Sequence, residues 1–252
     1  MRPPYRRLLA VLWALLCHGS FAVAVSAMAL GLASGMRLGL GRLHGPAAWL
    51  ANGLLCAQFP LAHSYLLSGR GRRWLARTAP GPAGATLAPT VFATLAAWQI
   101  LSTFVLWSPS GVVLCEPSAA TRPAFLAAFG LAWLFLLKAL ADAGLGLQTG
   151  AIGWRALWRG VTPRYPDMPE RGLFAACRQP IYLGFALILW TGPVWTLDHL
   201  VLALAWSGYC YLGPRLKERR FAERYGARFA AYRQRTSYFV PGFAVARLRT
   251  RR

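Results

Sequence analysis

Apolar residues along this chain run in long blocks and do not alternate with polar ones. Four blocks, about Leu8–Leu32, Pro46–Leu67, Leu87–Trp107 and Ala124–Leu147, each reach the ~20 residues a helix needs to cross a bilayer. A fifth block, Ile181–Leu212, is too long for one simple span. Gly192-Pro193 interrupts it and predicts a helical hairpin turning near Gly192 to His199. Each arm is short, so a partly re-entrant hairpin stays open as an alternative. The pattern predicts an all-α, polytopic helical membrane protein with about six membrane segments, the last two forming the C-terminal hairpin. It divides the chain into a four-span bundle over 1–150, a C-terminal region over 151–240 and a basic tail over 241–252.

Charge orients this arrangement. The 252 residues carry 28 Lys and Arg against 7 Asp and Glu, while 56% of the chain is hydrophobic. A disordered chain would be less apolar, and a soluble nucleic-acid binder would carry its basic face on an ordinary polar surface. With the N-terminus inside, 24 of the 28 cations fall in inner segments. Arg37, Arg42 and Arg122 are left for the outer loops, and Lys138 lies in a span. This bias predicts N-in and C-in, with the basic face against anionic lipid headgroups and no nucleic-acid partner. Arg2, Arg6 and Arg7 before an apolar run ending near Ala27-Met28-Ala29 imitate a secretory leader. The run is longer than a leader's apolar core, and we read it as a span.

Several residues invite chemistry and are better read as structure. Cys17, Cys56, Cys115, Cys177 and Cys210 are scattered, with neither a disulfide framework nor metal-ligand spacing. Gly39-Leu-Gly41 and Gly144-Leu-Gly146 lack the spacing and strand–helix context of a dinucleotide loop, and read as helix ends and turns. Lys138 and Asp142 share a helix face in the fourth span. A structural ion pair is the first reading there, a polar cavity the second. His63 in the second span has Gln58 and Ser64 for company, and reads either as a helix–helix hydrogen-bonding residue or as part of a site.

The C-terminal region carries the densest signal. Gly172-Leu173-Phe174 leads into Cys177-Arg178-Gln179-Pro180-Ile181-Tyr182-Leu183-Gly184. Beyond the hairpin come Arg215-Leu216-Lys217-Glu218-Arg219-Arg220-Phe221, then Tyr225-Gly226-Ala227-Arg228-Phe229-Ala230-Ala231-Tyr232. A hairpin that returns the chain to one side brings these polar ends together. The result is a pocket with Arg for a carboxylate, Glu for amine or hydroxyl donors, and an aromatic wall.

This region resembles the membrane methyltransferases of the isoprenylcysteine carboxyl methyltransferase superfamily. Their pattern is Arg-His-Pro-x-Tyr-x-Gly, a hairpin, a Glu-Glu pair and Phe-Gly-x-x-Tyr-x-x-Tyr. Over the whole chain the resemblance is to the methanethiol S-methyltransferase and NnrU-like branch, through His63-Ser64, Arg73-Trp74, Trp107-Ser108-Pro109 and Gly172. It is specific from about Gly172 to Tyr232 and diffuse before that. Three positions depart from the pattern: Gln179 stands for His, Lys217 for the first Glu and Phe229 for a Tyr.

The resemblance implies an S-adenosylmethionine site without a Rossmann domain. Short loops and an Ala/Arg/Gly-rich composition point to a bacterial inner membrane, and the N-in, C-in topology puts the site on its cytoplasmic face. Arg178, Gln179, Pro180, Tyr182, Leu183, Gly184 and Glu218 would contact the cofactor. Arg215 and Glu218 would be the catalytic pair, with Arg215 beside a thiolate or carboxylate. The acceptor it implies is a small or lipophilic thiol such as methanethiol. Alternatives are a prenylcysteine carboxylate or a lipid, or a non-catalytic accessory role. Oligomeric state is not legible in the sequence.

Overall fold

The computed structural model describes residues 2–79 and 81–241; beyond Pro241 the basic tail lies outside the described residues. Helix α1 spans Pro3–Ala33, α2 Gly45–Leu66, α3 Gly69–Leu75, α4 Ala83–Val105 and α5 Arg122–Asp142. The short helices α6 (Leu145–Gln148), α7 (Ala151–Arg159) and α8 (Leu173–Ala176) follow. Helices α9 (Pro180–Trp190) and α10 (Leu197–Arg235) form the C-terminal hairpin. Strands β1 (Val113–Cys115) and β2 (Trp195–Thr196) pair antiparallel, a small departure from a purely helical chain.

The long helices follow the apolar blocks because a backbone among lipid tails must satisfy its own hydrogen bonds. Proline marks where they begin: Pro3 and Pro4, Pro46, Pro123 and Pro180 sit in the first turns of α1, α2, α5 and α9, where no partner N–H is needed. Helices α1, α4 and α5 are each long and apolar enough to cross a membrane. Helix α2 has 22 residues. Helix α9 has 11, a length of about 16 Å against a hydrocarbon core of ~30 Å. The first arm of the hairpin is thus a half-length helix, and the second, Leu197–Arg235, is kinked at Gly226, whose backbone is not helical (φ 49°, ψ −121°).

Outward faces are apolar in the way lipid contact requires. Leu8, Leu12, Leu15 and Leu30 on α1, Leu50, Leu54 and Leu61 on α2, and Leu131, Leu134 and Leu137 on α5 are all exposed. A water-soluble bundle would carry polar residues there. The chain is an integral membrane protein built mostly of helices.

Two apolar cores define the ends of the bundle. Ala10 of α1, Leu66 of α2, Leu75 of α3, Ala83 and Leu87 of α4 and Leu157 of α7 share one. Leu32, Phe104, Trp107, Leu136, Ile188, Leu202 and Trp206 share the other. Consecutive long helices therefore run in alternating directions. Several polar groups inside the bundle are paired: Gln58 donates to the Gln99 carbonyl at 2.7 Å, and Asn52 donates to the Ser108 carbonyl at 2.8 Å while accepting from its N–H at 3.0 Å.

The hairpin turns where Gly192-Pro193 predicts. Thr196 caps α10 by accepting from the His199 N–H at 3.1 Å. His199, fully buried, has a carbonyl beside each ring nitrogen, Val194 at 3.0 Å and Leu189 at 2.8 Å. Asp198 accepts from the Trp107 indole at 2.9 Å and from the Ser110 N–H and hydroxyl at 2.9 and 2.6 Å. This locks α4 to α10 at the end opposite the polar ends of the hairpin.

Candidate functional site

The polar ends of the hairpin do meet. Cys177 is extended and bridges Ser237, with the Arg178 N–H donating to the Ser237 carbonyl at 2.8 Å. That places the Arg178 side chain beside α10, where its Nε donates to Glu218 Oε1 at 2.8 Å. Its other nitrogens reach the Arg233 carbonyl at 3.2 Å and the Thr236 carbonyl. The guanidinium lies over the Tyr238 ring at 5.4 Å. Gln179 Nε2 donates to the same Glu218 oxygen at 2.8 Å.

Gln179 is 1% exposed, and its Oε1 is buried with no hydrogen-bond partner among the described residues. Glu218 is a carboxylate that only accepts, so the amide nitrogen must face it and the oxygen is left over. A neutral imidazole offers the same pattern, one donor and one acceptor. Gln179 therefore keeps the hydrogen-bonding pattern of the His it replaces and gives up only the mobile proton.

A small, partly open cavity of about 10 Å³ lies against these groups, lined by Pro169, Phe174, Gln179, Lys217, Glu218 and Tyr232 among others. It has room for about one water. Lys217 sits at its wall with Nζ 5.8 Å from the centroid of Phe174, 5.9 Å from Tyr182 and 5.5 Å from Phe221. Lys217 lies past the apolar part of α10, on its basic stretch, and burial lowers its ammonium to about 8. The Tyr232 hydroxyl, held by the Phe174 carbonyl at 2.6 Å, is raised by burial.

The segment 161–172, without helix or strand, covers the cavity. Met168 packs on Phe229 and Tyr232. Outside it is a second, open cleft of about 580 Å³, lined by Asp142, Asp167–Arg171, Arg228 and Arg235. Pro169 stands in the walls of both. Arg228 clips the cover shut, reaching Asp167 at 2.6 Å and Glu170 at 2.7 Å; Arg235 also holds Glu170.

The structure sorts the sequence candidates. Arg178, Gln179 and Glu218 come together, and Tyr182 faces Lys217. Arg215 lies elsewhere: it is exposed, its guanidinium 5.4 Å over the Tyr211 ring. Pro180 is buried at the start of α9, and Leu183 is half-buried one turn on; neither lines the cavity. Gly184 faces α5, where a Cβ would come within 3.0 Å of the Leu136 Cα. His63 packs between Phe59 and Phe92, with ring centroids 5.0 and 4.8 Å away, and does not reach the cavity.

Lys138 pairs with Asp142, whose other oxygen accepts from the Leu173 N–H at 2.8 Å. The pair anchors the approach to α9, in keeping with the structural reading. All five cysteines are free thiols. Sequence reasoning missed the cover and treated Lys217 only as a departure. A Lys beside Glu218, one helix turn before Phe221, was the available signal.

Comparison with known proteins points the same way. Over 197 residues the chain is 26% identical to a methanethiol S-methyltransferase of Pseudomonas sp., covering 78% of this chain and 74% of the relative. It is 27% identical over 201 residues to methanethiol S-methyltransferase 1 of Bradyrhizobium diazoefficiens, covering 77% and 67%. It is 25% identical over 195 residues to the methanethiol S-methyltransferase of Mycobacterium tuberculosis, covering 77% and 78%.

This chain is similar to methanethiol S-methyltransferases.

The sequence resemblance, carried chiefly by Gly172–Tyr232, and the similarity over 77–78% of the chain thus name the same group of enzymes. No family model and no solved structure matches.

Proposed function

We propose that this membrane methyltransferase takes its methyl group from S-adenosylmethionine and delivers it to a small thiol such as methanethiol, on the cytoplasmic side of a bacterial inner membrane. The observation that carries the reading is the convergence of Arg178, Gln179 and Glu218 on one cavity in a chain similar to methanethiol S-methyltransferases. The placement of 24 of 28 cations in inner segments supports N-in, C-in topology with this cavity inside.

The residues fit such a cofactor chemically. Gln179 Oε1 is a buried acceptor without a donor, suited to an amine or hydroxyl N–H or O–H. Arg178 is held by Glu218 and two carbonyls and fixes the carboxylate beside Gln179. The rings of Phe174, Tyr182 and Phe221 already surround one cation, and ring faces attract a sulfonium for the same reason. When bound, the cofactor supplies a methyl group on a positively charged sulfur. The protein's task is then alignment and dryness: Arg178 and Glu218 fix the polar end, and Met168 and Pro169 close over it to exclude water.

The test is purification in detergent and calorimetry with S-adenosylmethionine, followed by labelled cofactor with methanethiol, a longer thiol and a prenylcysteine. Binding, with label passing to methanethiol, is the expected result. Transfer to the prenylcysteine alone would move the acceptor to a carboxylate. No binding by folded protein would overturn the reading.

A further inference from the structure

We propose that Lys217 binds the acceptor as an anion: its ammonium, walled by Phe174, Tyr182 and Phe221, holds the thiolate of the thiol that is methylated. This deepens the methyltransferase reading and rests on it for the transfer step, but not for anion binding.

The argument starts from pairing. Lys217 has no carboxylate partner among the described residues; neighbouring Glu218 is taken by Arg178 and Gln179. An ammonium drawn away from water without an anion is expensive. Ring faces at 5.5–5.9 Å offset part of that cost. The rest is a standing affinity for a small anion in the cavity that Lys217 lines. Arg178 is in the opposite condition, its donors already spent on Glu218 and two carbonyls. Arg215 lies outside over Tyr211. Lys217 is the cation at this cavity with donors to spare.

The chemistry matches. A thiol attacks as its thiolate, and a simple alkanethiol is mostly protonated at neutral pH. A desolvated ammonium beside it favours ionisation. The thiol's proton passes to solvent, directly or through the neutral amine of Lys217. The thiolate's electron pair forms the new sulfur–methyl bond while the donor's methyl–sulfonium bond breaks onto its own sulfur. The products are a neutral thioether and a neutral donor remnant, and Lys217 ends as it began. Burial lowers its titration most; Glu218 on α10 and Cys177 raise it, and Arg220 on α10 and Arg178 lower it, while the rings of Phe174, Tyr182 and Phe221 pack against it. The net effect is an ammonium near 8, charged at neutral pH.

The experiment uses the full chain in detergent and methanethiol as the probe, first without any methyl donor. Calorimetry in two buffers of different ionisation heat counts protons. Wild type is expected to release close to one proton per thiol bound at pH 7, and Lys217→Met close to none. With S-adenosylmethionine, Lys217→Met should keep cofactor affinity within about threefold and lose at least 100-fold in methyl transfer at pH 7. Its rate should climb about tenfold per pH unit as the free thiol ionises, where wild type levels off. Lys217→Arg, which keeps charge, should retain proton release and guards against misfolding of the Met variant. Thiol binding by wild type without proton release would overturn the proposal. So would a tenfold loss of cofactor affinity in Lys217→Met, which would assign the anion to the cofactor's carboxylate. Failure of wild type to bind S-adenosylmethionine would sink the methyltransferase reading, while the proton count would still judge Lys217.

Discussion

Arg178 and Glu218, forty residues apart, are joined by a 2.8 Å hydrogen bond that closes the hairpin at its polar end. Both side chains are mostly buried, 10% and 14% exposed. Glu218→Ala leaves Arg178 with only carbonyl partners and Gln179 Nε2 with none. We expect a loss of about 2 kcal/mol in unfolding free energy and cofactor affinity reduced at least tenfold. Glu218→Gln keeps an acceptor and should lose less on both counts. Thermal unfolding in detergent and calorimetry measure the two.

Gln179 tests whether the donor–acceptor pattern or the proton matters at its position. Gln179→His restores the residue of the related pattern and can donate to Glu218 while presenting its second nitrogen to the cavity. Cofactor affinity should stay within about threefold. Gln179→Leu removes both functions and should lower affinity at least tenfold. An equal loss in both variants would mean that the fit of the amide itself, and not its pattern, is what the site uses.

The cover over the cavity is held by exposed ion pairs, which solvent screening leaves individually weak. Arg228→Ala should therefore leave global stability almost unchanged, yet speed cofactor association severalfold by easing release of Asp167 and Glu170. Added salt should mimic it in wild type and do little in the variant. The pH dependence has a definite sign. The hydrogen bond from Arg228 holds the Asp167 carboxyl below its usual range, so the clip is intact above the ordinary carboxylate pKa and is lost as pH falls through the depressed one. Stopped-flow binding against pH and salt checks all three statements.

What the sequence made legible follows from where its signals come from. The apolar blocks predict helices near α1, α2, α4 and α5, because lipid permits nothing else for long apolar runs. Their ends shifted by a few residues; the fourth block reads to Leu147, but α5 ends at Asp142, where Gly144 turns with φ +93°. The hairpin turn is fixed by Gly192-Pro193. The half-length of α9 was not visible, since apolar character runs on through the turn into α10. Arg178, Gln179 and Glu218 could be chosen from the pattern, but Arg215 and Lys217 could not be ranked. Two positions along a helix separate them, which sends one to the surface and the other to the cavity wall. The cover has no periodic signal at all; Met168 and Pro169 matter only because Phe229 and Tyr232 fold beneath them.

Gly184 separates packing from binding most sharply. The sequence resemblance implies that it contacts the cofactor, whereas here its open side faces α5. A Cβ at this position would lie 3.0 Å from the Leu136 Cα and 3.1 Å from its Cβ, and neither is the loose end of a side chain. Gly184→Ala should push α9 away from α5 and cost about 1–3 kcal/mol. Cofactor affinity of the folded fraction should be unchanged, because Gln179 and Glu218 do not lean on that contact. Gly184→Val should be worse in stability by the same reasoning. A variant that stays as stable as wild type but binds S-adenosylmethionine tenfold more weakly would return Gly184 to the binding site. It would also show that α9 turns its Gly184 face toward the cavity when the cover opens.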